Sequence, residues 1–145
     1  MRKILIFTLL VFSACLTSCL GDDDGTNFFF ELVPIEEVDI PEEFVRNETY
    51  EVSVFYYRPS DCHSFSGFEL ETLDNQLTLA AVNVVFNDRE CIDIEPTELI
   101  EEKLNFIVGS EESYIFNFWK GTNDQDEGEF ITIEVPVVEE ASTTD

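Results

Sequence analysis

Four cysteines, one histidine and 32 carboxylates are the groups in this 145-residue chain from which chemistry would have to be built. Cys62 and His63 adjoin in "RPSDCHSF". A thiol beside an imidazole suggests a nucleophile with its base, or part of a metal site. Neighbours on a strand point to opposite faces, however, and no second histidine exists to complete the usual zinc set. His63 therefore reads as a loop histidine.

The stretch "NDQDEGE" offers Asp124, Asp126 and Glu127 as oxygen ligands, with Gly128 permitting a tight turn. Calcium needs several such oxygens around one point, and this run is shorter than an EF-hand loop and lacks its closing glutamate. The three residues are a weak calcium candidate; a solvated hairpin loop is the plainer reading, and no metal is expected. With 32 acids, no carboxylate pair stands out as hydrolytic. A glycine-rich phosphate loop, a G-x-S-x-G elbow and a basic patch are all missing from the sequence. No catalytic residues are assigned, and no cofactor is called for. Phe55, Tyr57 and Trp119 are the candidate ligand-facing aromatics, because each alternates against the core face of its strand. Such rings stack on sugars or fill a protein hot spot, although many are covered by a neighbouring loop.

Charge narrows the partners. The formal net charge is −25, from 32 acidic and seven basic residues. Nucleic acid and anionic lipid surfaces are repelled within the reach that salt leaves, so nucleic acid is excluded as a partner. Disorder is the other reading of strong acidity, but 44% of the residues are hydrophobic and 14 are Phe. That apolar surface is enough to oppose chain entropy in one domain.

Residues 1–18, "MRKILIFTLLVFSACLTS", place Arg2 and Lys3 before an apolar segment from Ile4 to Phe12 and then small and polar residues. This is a secretory signal layout, and Ser13, Thr17 and Ser18 break the run too early for a membrane span. Leu16-Thr17-Ser18-Cys19 resembles the lipobox of bacterial lipoproteins. The resemblance implies lipidation of Cys19 after removal of residues 1–18, which would carry the charge to about −27, since Arg2 and Lys3 leave and no acid does. Two or three acyl chains make a stable membrane anchor where one gives only reversible binding. Asp22-Asp23-Asp24 resembles the acidic export signal of Bacteroidota-type surface lipoproteins, with a solvated spacer as the alternative. The expected location is the cell envelope, lipid-anchored in the outer membrane, with cell-surface exposure left open.

If Cys15 leaves with the signal and Cys19 carries lipid, Cys62 and Cys91 remain, and in an oxidising compartment that pair is most simply a disulfide. It would close a loop of about 30 residues and stabilise the fold by roughly 3 to 4 kcal/mol in the chain-entropy model.

These groups must be positioned by strands. From Phe28 onward the pattern has period two, broken by turn residues, with no long helical stretch. "TYEVSVFYY" aligns Tyr50, Val52, Val54 and Tyr56; "YIFNFWK" aligns Tyr114, Phe116 and Phe118; "EFITIEVPV" aligns Ile131, Ile133, Val135 and Val137. Weaker strands are read at Phe28–Leu32, Ser66–Leu73, Leu77–Phe86 and Lys103–Val108, with an apolar phase shift near Ala80-Ala81 that suggests a bulge or two shorter strands. The fold class expected is all-β, an antiparallel sandwich of about seven or eight strands spanning residues 28–140, after a tether at 19–27 and before a disordered tail at 141–145. Tyr114, two residues before the inward Phe116, is similar to the tyrosine corner of immunoglobulin-like domains, although Phe116 stands where antibody domains have cysteine. The chain as a whole resembles small envelope lipoproteins to which no activity is attached. The function expected is a non-catalytic lipoprotein presenting its sandwich for protein interaction or assembly; a carbohydrate-binding module is the alternative.

Overall fold

The computed structural model describes residues 27–139. The expected signal segment and lipobox with Cys19, Asp22-Asp23-Asp24 and the tail 141–145 lie outside the described residues. The strands are β1 (Phe28–Val33), β2 (Ile35–Asp39), β3 (Phe44–Val45), β4 (Thr49–Tyr56), β5 (His63–Leu73), β6 (Gln76–Phe86), β7 (Ile100–Ile107), β8 (Ser113–Thr122) and β9 (Gly128–Val138). They form a β-sandwich. One sheet has the order β1-β6-β8-β9-β3 with β5 also on β6; the other is β2-β4-β7.

Alternation explains which residues meet between the sheets. Val52, Val54 and Tyr56 of β4 face Phe116 and Phe118 of β8, Leu79 of β6 and Val135 of β9, all buried. Phe44 sits among them, its ring 5.4 Å from Phe106 and 6.0 Å from Phe116, so the two-residue β3 is held by its side chain as much as by its ladder. Removing such rings from water is the main favourable term in the fold.

β1 and β2 are one extended segment that changes sheets at Pro34, pairing first with β6 and then with β4. Two pairings, β6 with β8 and β3 with β9, are parallel, in contrast to the antiparallel pattern expected throughout. The first has a local cause. The Asp74-Asn75 turn, with Asp74 at φ 54°, joins β5 to β6. Asn75 then bonds β8 twice: its Nδ2 donates to the Ser113 carbonyl at 3.1 Å, and its carbonyl accepts the Ile115 amide at 2.9 Å. β8 is thereby set alongside β6 in the same direction.

The tyrosine-corner expectation has its hydrogen bond, since the Tyr114 hydroxyl accepts the Gly109 amide at 2.8 Å. Tyr50 makes the same arrangement, accepting the Val45 amide at 2.9 Å. Both anchor the start of a strand to the backbone five residues upstream.

Neither the bulge nor the break into two shorter strands expected near Ala80-Ala81 is there. β6 runs unbroken, with Leu77, Leu79, Ala81, Asn83 and Val85 all on the buried face. The apparent shift arises because Asn83 holds a core position while Val82 and Val84 lie on the outer row. The irregularity falls across the ladder instead, in β5 between Phe65 and Gly67.

Candidate functional site

His63 is the first residue of β5, not a loop residue, and it has partners on both ring nitrogens. The Ser60 hydroxyl lies 2.7 Å from Nδ1 and the Glu31 carboxylate 3.0 Å from Nε2. Glu31 is on β1, so the sequence offers no local signal for this trio. A serine, an imidazole and a carboxylate in line are the parts of an activated nucleophile. Here, though, Ser60 is only 4% exposed, and its oxygen also accepts the Cys62 amide at 3.3 Å. The trio ties β1 to the start of β5 as a clasp, with its hydroxyl buried in the fold.

The clasp continues into the Cys62–Cys91 disulfide, whose Cα atoms are 5.6 Å apart. Around it, the Asp61 amide donates to the Ile92 carbonyl at 3.0 Å, and the Ile92 amide donates to the Asp61 carboxylate at 2.9 Å. Asp61, Cys62 and Cys91 form the one close trio of metal-ligating residue types among the described residues, but two of its ligand atoms are already bonded to each other. The thiolate needed for nucleophile or metal chemistry does not exist in this state.

The acidic loop is organised around Asn123. Its carboxamide oxygen accepts the amides of Gln125 and Glu127 at 2.9 and 3.0 Å, and its Nδ2 donates to the Glu127 carboxylate at 3.2 Å. Asp126 takes φ 61° to close the turn. Asp124, Asp126 and Glu127 do not converge into a ligand cluster. One of them is spent on the turn itself.

The three candidate aromatics are separated. Phe55 lies on the outer face of the small sheet between Glu37 and Glu101. Tyr57 lines a shallow cavity of about 390 Å³ with Arg58, Glu98 and Ile100. Trp119 lies on the outer face of the large sheet, paired with Phe130. It lines a smaller groove of about 180 Å³ with Leu32, Glu69, Glu71, Thr78 and Phe130. These rings cannot form a single platform.

The outer face of the large sheet carries a larger feature that the strand pattern alone does not reveal. Phe28, Phe30 and Leu32 of β1 alternate outward and are exposed, Phe30 by 62%. They sit in register with Phe86, Val84 and Val82 of β6. The Phe28 ring packs edge-on against Phe30 at 5.7 Å and lies 6.4 Å from Phe86. With Trp119 and Phe130 these side chains make an apolar field across a strongly acidic molecule. Its signal in the sequence is "NFFFEL", whose three phenylalanines cannot all face one core.

Inside the sandwich, Asn83 is wholly buried, and neither its Nδ2 nor its Oδ1 has a hydrogen-bond partner among the described residues. The Tyr56 hydroxyl is close by. Burial and then the Glu102 carboxylate push its pKa up, while Asn83 and Arg58 act in the opposite direction. Burial also raises Glu102, an inward-pointing residue of the edge strand β7. Such a charge discourages edge-to-edge pairing.

Ion pairs engage Arg46 with Glu139, Arg89 with Asp61 and Lys103 with Glu51. The Glu51 hydrogen bond and charge raise the Lys103 pKa. Glu69 and Glu71, beside Trp119, have no such partner among the described residues. No protein-family model, no curated protein and no solved structure matches this chain.

Proposed function

We propose that this chain is a non-catalytic lipoprotein, anchored in the outer membrane through Cys19, that presents its β-sandwich for protein interaction or assembly. The observation that carries the reading is the exposed apolar face of Phe28, Phe30, Leu32, Phe86 and Phe130 on the large sheet. Contiguous apolar surface rimmed by charge marks an interaction site on a soluble domain. The burial of Ser60 and the Cys62–Cys91 bond support a binding role over a catalytic one. Acid residues Asp22-Asp23-Asp24 would lie between lipid and sandwich, in keeping with surface export or with a solvated spacer.

Crosslinking in intact envelopes, followed by capture of the full chain, tests the reading. A reproducible protein partner lost in a Phe30→Ser variant is the expected result; no reproducible partner would overturn it. Metabolic labelling with a fatty acid should mark the wild type and leave Cys19→Ser unlabelled. The alternative, a carbohydrate-binding module, is favoured by one feature, the Trp119–Phe130 pair beside Thr78. A glycan array in which binding disappears with Trp119→Ala would select it.

A further inference from the structure

One edge of β6 is shared by two strands. β8 pairs with Gln76–Leu79 and β1 with Ala81–Phe86, while β5 takes the opposite edge. Ala80 belongs to neither partner on the shared edge, and there the sheet forks. The groove of about 180 Å³ lies at this fork, floored by Leu79 and Ala80, with Leu32 on the β1 side and the Trp119–Phe130 pair on the other. Among the described residues, its only ionisable lining groups are Glu69 and Glu71.

Those carboxylates stand two residues apart on one strand, so they share the outer face. Like charges set on one sheet face repel, and neither has an ion pair to offset that cost among the described residues. Carboxylates that repel each other beside aromatic rings are arranged to receive a positive charge. The ring faces attract a cation through their quadrupole, and the carboxylates add charge-assisted hydrogen bonds. A neutral sugar would stack on Trp119 and donate its hydroxyls to the carboxylates, but it would leave their two negative charges uncompensated. Anions are repelled, and so is a second copy of a chain carrying −25.

We infer that the fork groove seats a cationic side chain, a lysine ammonium or an arginine guanidinium, presented by a basic segment of a protein partner. This rests on the protein-interaction reading above and names the chemistry of the partner.

Trp119 is the only tryptophan in the chain, so its emission reports the groove directly. The full chain in detergent would be titrated with pentalysine amide, and separately with pentaglutamate and cellohexaose. A saturable change with pentalysine alone is expected, with affinity reduced about tenfold or more in Glu69→Gln/Glu71→Gln. Glu36→Gln/Glu37→Gln on the other sheet removes the same charge away from the groove and should leave the affinity within about twofold. Equal weakening in both double variants would mean attraction by the net charge alone and overturn the assignment. So would saturation by cellohexaose, or no saturable response to pentalysine. If crosslinking still captures a partner in the Glu69→Gln/Glu71→Gln chain, protein interaction stands and this groove is not its site.

Discussion

The Tyr114 hydroxyl accepts the Gly109 amide at 2.8 Å, and a Cβ built at position 109 would meet that same oxygen at 2.8 Å. Glycine is therefore required here by close approach, not by a left-handed backbone. Gly109→Ala should cost about 1 to 3 kcal/mol and Tyr114→Phe about 1 kcal/mol, read from urea unfolding midpoints. The two should be coupled, because removing the hydroxyl also removes the clash. Equal costs of Gly109→Ala with and without the hydroxyl would show that the corner is not the cause.

Asn83 and Tyr56 set a second expectation. A carboxamide buried without partners costs more than an apolar side chain of similar size, so in a Tyr56→Phe background, where no hydroxyl is left beside it, Asn83→Leu should raise stability by about 1 to 2 kcal/mol. Tyr56 is held neutral, mainly by burial, so its folded pKa lies above the unfolded value. Its contribution is complete below about pH 10 and is lost as pH rises through the higher folded value. Unfolding monitored from neutral to alkaline pH should show a loss that Tyr56→Phe reduces. The same sign applies to Glu102 in the carboxylate range, where Glu102→Gln should stabilise the domain once the carboxylate ionises.

Reduction gives a third. The Cys62–Cys91 bond spans 29 residues, and the chain-entropy model assigns it about 3.5 kcal/mol. Midpoints with and without reductant should differ by that order. Intact mass of the exported protein should show no free thiol at either position; two free thiols would remove the bond.

The Ser60–His63–Glu31 trio separates clasp from catalyst. Its hydroxyl is buried, so a fluorophosphonate probe should leave Ser60 unlabelled in the native chain. His63→Ala should lower stability by about 1 to 2 kcal/mol by stranding Ser60. Native labelling of Ser60 that disappears with His63→Ala would instead reveal an activated serine.

Where burial is one-sided, the strands are legible in the amino-acid pattern itself. Tyr50 to Tyr56 and Tyr114 to Phe118 alternate cleanly because one face meets the core and the other meets water or charge. β2 escapes such a reading since three of its five residues are acids, and β3 since two residues carry no period. β6 misleads for the opposite reason: both faces are apolar, one by core burial and the other by membership of the outer field, while its buried Asn83 points inward. Among site residues, the Cys62–Cys91 pair follows from counting. Glu31 with His63, or Glu69 with Trp119, are brought together only by strand register, which a single sequence does not encode locally.

The short parallel pairing of Phe44 and Val45 with Val137 and Val138 also constrains how the molecule can be made. Phe44 precedes its ladder partner Val137 by 137 − 44 = 93 residues. Closure of the core at this strand therefore waits for β9, and loop entropy makes so distant a contact slow. A polypeptide threaded through a translocon from its N-terminus, as the proposed lipoprotein would be, would cross with this aromatic cluster still open. That order of events would hold the sandwich open, in a transportable form, until β9 had passed.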